Sequence, residues 1–110
     1  MRPLTRKLLL EARTHAPDGG GGTSASWTPV TELWAAIRAR SAREAVVAGR
    51  QMARVSHTAE IRYLPFGDPM RPVPHQRLRE GGRVFAIVGV AEADDRRERL
   101  ICWLEEGTAP

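Results

Sequence analysis

The side chains able to do chemistry are few and scattered. The histidines are His15, His57 and His75, and the one cysteine is Cys102. None of the four stands at metal-ligand spacing from another, so no metal site is expected. His57 falls on the apolar face of an alternating segment and reads as an interior residue. Cys102 sits in the run Leu100-Ile101-Cys102-Trp103-Leu104, where a thiol is buried and inert. A single cysteine also rules out an intrachain disulfide. Carboxylates cluster as Asp94-Asp95 and Glu105-Glu106, the first in a charged turn and the second near a terminus. Such pairs read as solvated charge or partner contacts, not as an acid–base couple. With no nucleophile–base constellation, the sequence predicts neither an enzyme nor a cofactor site.

What remains is arginine. The 110 residues carry a net charge of +4, with 16 arginines and one lysine, Lys7. The planar guanidinium pairs with phosphates and carboxylates two bonds at a time, which suits nucleic acid and interface ion pairs. A GC-rich genome produces the same bias. The charge is uneven: residues 38–83 hold ten arginines against four carboxylates, and residues 84–110 hold three against six. A basic middle and an acidic end suit stacked subunits or rings, and DNA nearby. Aromatics make up only 5% of the chain, with neither a zinc finger nor an aromatic-basic RNA-binding strand. Any DNA would therefore be met through its phosphates, without reading of sequence.

The elements that must position these charges read as short strands. The length suits one domain over residues 1–110. No apolar run approaches a membrane span, and Leu8–Leu10 is too short for a signal-peptide core, so synthesis in the cytosol is expected. Residues 6–13 form a first strand. The run Gly19-Gly20-Gly21-Gly22 lacks the lysine of a phosphate-binding loop and reads as a hairpin tip. Residues 27–40 are ambiguous: Thr28-Pro29 followed by Glu32 resembles a helix start, while Leu33, Ala35, Ile37 and Ala39 alternate as in a strand. In 41–50, Ser41 and Glu44 have capping-box spacing and Gly49 suits a helix stop. A helix that short is marginal in water and must pack or order on assembly.

Residues 53–64 give the clearest pattern, with Ala53, Val55, His57, Ala59, Ile61 and Tyr63 on one face. A proline-rich loop follows. Gly81-Gly82 turns into residues 83–90, a central strand apolar on both faces, which pairs across the turn 92–97 with a last strand, 98–105. The predicted core is Val55, Ile61, Tyr63, Phe85, Ile87, Val88, Leu100 and Trp103. The fold class is mainly β, a small barrel or sandwich with one short helix or loop insertion at about 42–49.

The order of these segments resembles a known family. DGGGG…SWTPVTELWAAI, then SAREAVVAGRQMARVSHTAEIRY, then GGRVFAIVGVAEADDRRERL are similar to the phage head–tail joining proteins. These are the head-closure, or stopper, proteins of long-tailed phages and related gene transfer agents. The likeness runs from about residue 6 to residue 106 and rests on segment order more than on any single motif. It implies a small β-barrel in which 27–40 is mostly strand. It also implies a homo-oligomeric, hexameric ring at the head–tail interface of the particle, between the portal adaptor (connector) protein and the tail terminator or tail tube protein. Double-stranded DNA would pass through, and the insertion between the second and third main strands, here 41–52, would face the channel. That makes Arg43 and Arg50, with Arg40 beside them, the channel-facing candidates. Gly19, Gly20, Gly21, Gly22, Ala42, Glu44, Val46, Asp94, Asp95, Arg96 and Arg97 become candidates for contacts within and between rings. One departure is the stretch PVPHQRLRE, which separates Met70-Arg71 from Gly81-Gly82 and is longer than the family pattern. Two other readings stay open: a small basic nucleic-acid-binding barrel, and a neighbouring neck component such as a tail terminator.

Overall fold

A computed structural model describes residues 2–17, 19–41, 46–47, 50–51 and 55–107. Eight strands follow in order: β1 Arg6–Pro17, β2 Thr23–Ala39, β3 Val46–Val47, β4 Arg50–Gln51, β5 His57–Arg62, β6 Arg77–Glu80, β7 Arg83–Glu92 and β8 Arg99–Glu106. Six of them close into a barrel in the order β1-β2-β5-β8-β7-β6, with every neighbouring pair antiparallel. Closure leaves the barrel wall no open edge where all six strands pair.

The interior follows from period-two alternation. β8 sends Leu100, Cys102 and Leu104 inward. β5 contributes Ala59 and Ile61, β7 Phe85 and Ile87, β1 Leu8 and Leu10, β2 Ala35 and β6 Leu78. Each large apolar side chain buried this way stabilises the fold by about 1.5–3 kcal/mol. Val55 is buried as well, just ahead of β5.

Two expected core residues sit elsewhere. Trp103 lies between the inward Cys102 and Leu104, so alternation turns it to the outer face, where it is half-buried. Val88 follows the inward Phe85 and Ile87, so alternation turns it outward as well, and the register shift between Ile87 and Gly89 makes Val90 the next residue to pack on the core. Tyr63 is partly buried and packs against the core from its rim.

The ambiguous 27–40 segment is strand, because β2 pairs with β1 along most of its length and with β5 from Ala35 to Ala39. Two hydrogen-bonded partners outweigh the Thr-Pro helix signal. In the insertion, the described residues form strands: β3 and β4 pair through Val46↔Gln51 and Val47↔Arg50. They replace the expected helix at those positions, and β-branched Val46 and Val47 favour this. Positions 42–45, 48–49 and 52–54, Ala53 among them, lie outside the described residues. The sequence reading missed β6, which closes the barrel from within the stretch assigned to a loop.

Candidate functional site

Three projections leave the barrel, and polar side chains brace each. The first is the β1–β2 ribbon. β1 pairs with β6 only at Leu9–Glu11, so residues 12–17 and 23–28 run on as two strands paired only to each other among the described residues. Gly19 and Gly21 at the tip have φ of 83° and 85°, conformations that L side chains rarely adopt. A register shift at Leu10/Glu11 marks the base of the ribbon. There Glu11, only 4% exposed, accepts from Arg77 Nε at 2.7 Å and lies 3.7 Å from Arg79 Nη2. The Arg77 guanidinium in turn sits 4.2 Å from the Trp27 ring centroid. This Glu11–Arg77–Trp27 clamp sets the direction of the ribbon.

The second is the stem of the 41–52 insertion. Its two ends meet at the barrel wall, where Arg40 N donates to Ser56 O at 2.8 Å. Arg40 Nε donates to Thr58 Oγ1 at 3.0 Å, so this channel candidate stands at the stem of the insertion. Ser56 N donates to Leu104 O at 2.8 Å, and Ser56 Oγ accepts from Glu106 N at 2.9 Å. Arg50 lies in β4, whereas Arg43, Ala42 and Glu44 fall outside the described residues. Val46 lies in β3.

Ion pairs continue this stem around the barrel end. Arg83 Nε donates to Glu106 Oε2 at 2.7 Å, and Arg6 binds Glu80 through two nitrogens. The hydrogen bond from Arg83 holds the Glu106 carboxyl below its ordinary range, and Arg6 does the same for Glu80. His57 stands between the networks. Its Nδ1 is 2.9 Å from Ser56 Oγ, its Nε2 is 3.9 Å from Glu106 Oε1, and its ring meets Phe85 edge-on. Burial lowers its pKa, which favours the neutral ring. The serine hydroxyl already accepts a backbone N–H, so this Ser-His-Glu grouping works as a brace at the root of the insertion. Cys102 is fully buried, and desolvation pushes its thiol up to about 12, which holds it protonated.

The third projection is the loop 63–76. Arg71 is buried, donates from Nη1 to Leu64 O at 2.9 Å, and lies 3.9 Å from the Phe66 ring centroid. Asp68 Oδ1 accepts from Met70 N at 2.8 Å. Phe66, 81% exposed, is thus held out on a braced loop with Met70 and Val73. The charged turn 93–98 is shaped by Asp94, whose Oδ1 accepts from the amides of Arg96 and Glu98, and by Arg97 at φ 57°. Asp95 and Arg96 are exposed there.

The described contact candidates therefore fall in three places: the glycine tip at the end of the ribbon, the 94–97 turn between β7 and β8, and Val46 in β3. The Glu11–Arg77–Trp27 clamp was missed because it joins residues far apart in the chain, and the Phe66–Arg71 contact because it lies in a loop with no regular spacing. The only signal in the sequence was a carboxylate, Glu11, directly after the apolar run Leu8–Leu10.

A closed barrel with braced projections is the build of a small assembly subunit. The comparisons make that class specific. The chain belongs to the phage head completion protein family, whose model matches residues 1–107. It is a structural protein of the virion head. Among solved structures it is similar to a chain in the virion of a native gene transfer agent particle. The two are 36% identical over 99% of this chain and 100% of that one, with a TM-score of 0.74. Protein SF1141 from Shigella flexneri 2a, solved in solution, shares the fold, at 24% identity over 97% and 96% of the two chains and a TM-score of 0.71. No curated protein matches the chain.

Proposed function

We propose that the chain is the subunit of a hexameric ring that closes the junction between head and tail, with the 41–52 insertion facing a central DNA channel. The observation that carries this reading is the stem of the insertion. The segment leaves and rejoins the barrel wall at the hydrogen-bonded pair Arg40 and Ser56, so both of its ends are fixed at one place on the wall. It lies within the most basic part of the chain, with Arg40 at its stem and Arg43 and Arg50 along it. Six copies of such a segment around an axis would present a ring of cations to DNA phosphates, binding by charge alone.

Within this reading the barrel is the rigid wall of the ring. The glycine tip and the Asp94–Arg97 turn supply contacts to the rings on either side, a portal adaptor toward the head and a tail terminator or tube protein toward the tail. The 36% identical chain in a gene transfer agent virion supports a place in such a particle. The test is retention of packaged DNA in particles whose subunit lacks residues 42–50. The reading predicts leakage from otherwise assembled heads, and full retention would refute it.

A further inference from the structure

The seams of the barrel are unequal. β1 pairs with β2 from Arg6 to Pro17, but with β6 only through Leu9↔Arg79, Leu10↔Leu78 and Glu11↔Arg77. Past Glu11 the outer edge of β1 has no strand partner among the described residues. The register shift at Leu10/Glu11 falls within this short seam. Backbone pairing therefore holds β1 to β6 more weakly than it holds β1 to β2. On its other side the β1–β2 hairpin joins the barrel through Ala35–Ala39 of β2, paired with His57–Ile61 of β5.

Charge makes up what pairing lacks. Three ion pairs cross the β1–β6 seam. Arg77 Nε donates to Glu11 Oε1 at 2.7 Å, Arg79 Nη2 lies 3.7 Å from Glu11 Oε2, and Arg6 Nε donates to Glu80 Oε2 at 3.0 Å. They stand at both ends of the seam. β6 adds a single buried apolar side chain, Leu78, to the core cluster that holds Leu8 and Leu10. The wall across the barrel, β5 with β8 and β7, packs Ile61, Phe85, Ile87, Leu100 and Leu104. A part-exposed ion pair contributes little stability, and the Arg6 and Glu80 side chains are 33% and 32% exposed. Its geometry is nonetheless specific, because the two-nitrogen fork of Arg6 meets Glu80 in one register only.

We propose that the β1–β6 seam is a latch built into the barrel. β1 and the ribbon lift from β6 as one unit and turn about the β2–β5 pairing at Ala35–Ala39, while β6 stays on β7 and the wall of β5, β8 and β7 stays folded. Opening uncovers Leu8, Leu10 and Leu78, so the open form is a minor one. The ion pairs return β1 to the register of the closed barrel. A short, charge-held seam beside a longer apolar wall is where such a partial opening costs least. The ribbon can then change direction against a partner while most of the core stays packed.

The test is native-state hydrogen exchange of the full 110-residue chain, followed amide by amide in low urea. The latch predicts that amides bonding across the seam, within residues 9–11 and 77–79, exchange with a shallow urea dependence. Amides of β5 and β8 should show the full dependence of global unfolding. The bonds of Ser56 to Arg40, Leu104 and Glu106 lie outside the seam. Ser56→Ala should therefore lower protection about tenfold in β5 and β8 and leave the seam amides unchanged. Glu80→Gln should lower protection at the seam about threefold. A urea dependence at the seam as steep as in β5 and β8, or an equal loss at both in Ser56→Ala, overturns the latch, because the barrel then opens as one unit. So does exchange of residues 12–17 through an opening that residues 9–11 do not share, since the ribbon then frays above a closed seam. Unchanged seam protection in Glu80→Gln overturns it too, because charge then does not hold the seam. None of these outcomes depends on whether the chain forms a ring in the particle.

Discussion

Arg40 and Ser56 close the root of the insertion: the Arg40 amide donates to the Ser56 carbonyl across 2.8 Å. The same serine uses its hydroxyl to accept the Glu106 amide at 2.9 Å, so one residue ties the insertion to the last strand of the barrel. Ser56→Ala removes that acceptor and strands a partly buried N–H. The expected cost is about 1–2 kcal/mol in urea unfolding, with an unchanged slope. A variant as stable as the native chain would mean that Ser56 is no brace.

Glu11 is the buried anchor of the ribbon. Glu11→Ala leaves the Arg77 guanidinium, itself largely buried, without its 2.7 Å partner. Breaking such a pair from one side costs about 3 kcal/mol. Hydrogen exchange should also show the ribbon at residues 12–17 and 23–28 opening independently of the barrel. Unchanged protection there would show that the clamp does not hold the ribbon.

Leu78 tests whether β6 closes the barrel. It is fully buried in a four-residue strand flanked by charged side chains. Leu78→Ala is expected to cost about 2–5 kcal/mol by denaturant unfolding, as a core leucine does. A cost under about 1 kcal/mol would return this stretch to a surface loop.

These three sites differ in how far the sequence disclosed them. β5, β7 and β8 were readable because alternation or a dense apolar run leaves little choice, as in His57–Arg62 and Arg99–Glu106. The glycine hairpin was readable because consecutive glycines fit little else. β2 was not decided by its own residues, since helical and strand spacing overlap in Leu33, Trp34 and Ile37 and pairing with β1 and β5 settles the matter. β6 offers a single apolar residue, Leu78, so nothing local marks it as strand. Trp103 and Val88 were given the wrong face for one reason: in an apolar run both phases of the alternation look alike. The braces at Glu11 and Ser56 depend on contacts across the fold that spacing does not reveal, and Arg71 on the path of an irregular loop.

His57 gives the protein a pH response of known sign. Burial lowers its folded-state pKa, so the native state binds fewer protons than the unfolded chain near neutrality. Its contribution is complete above the unfolded value of about 6.5 and is lost as pH falls toward the folded value. Glu80 and Glu106, lowered by Arg6 and Arg83, add a second loss as pH drops below about 4.5. The melting temperature should fall as pH drops below about 6.5, and His57→Asn should flatten that first fall while keeping the second. An unchanged slope in the variant would assign the response to another group.

The central claim is that the insertion faces a DNA channel in a hexameric ring. A reconstruction of the particle neck measures this directly, through copy number and the radial order of residues along the axis. The account predicts six copies, with residues 41–52 innermost and Arg43 and Arg50 nearer the axis than Arg54. A neck in which residues 41–52 lie on the outer rim, or in which this chain forms no ring, would contradict it.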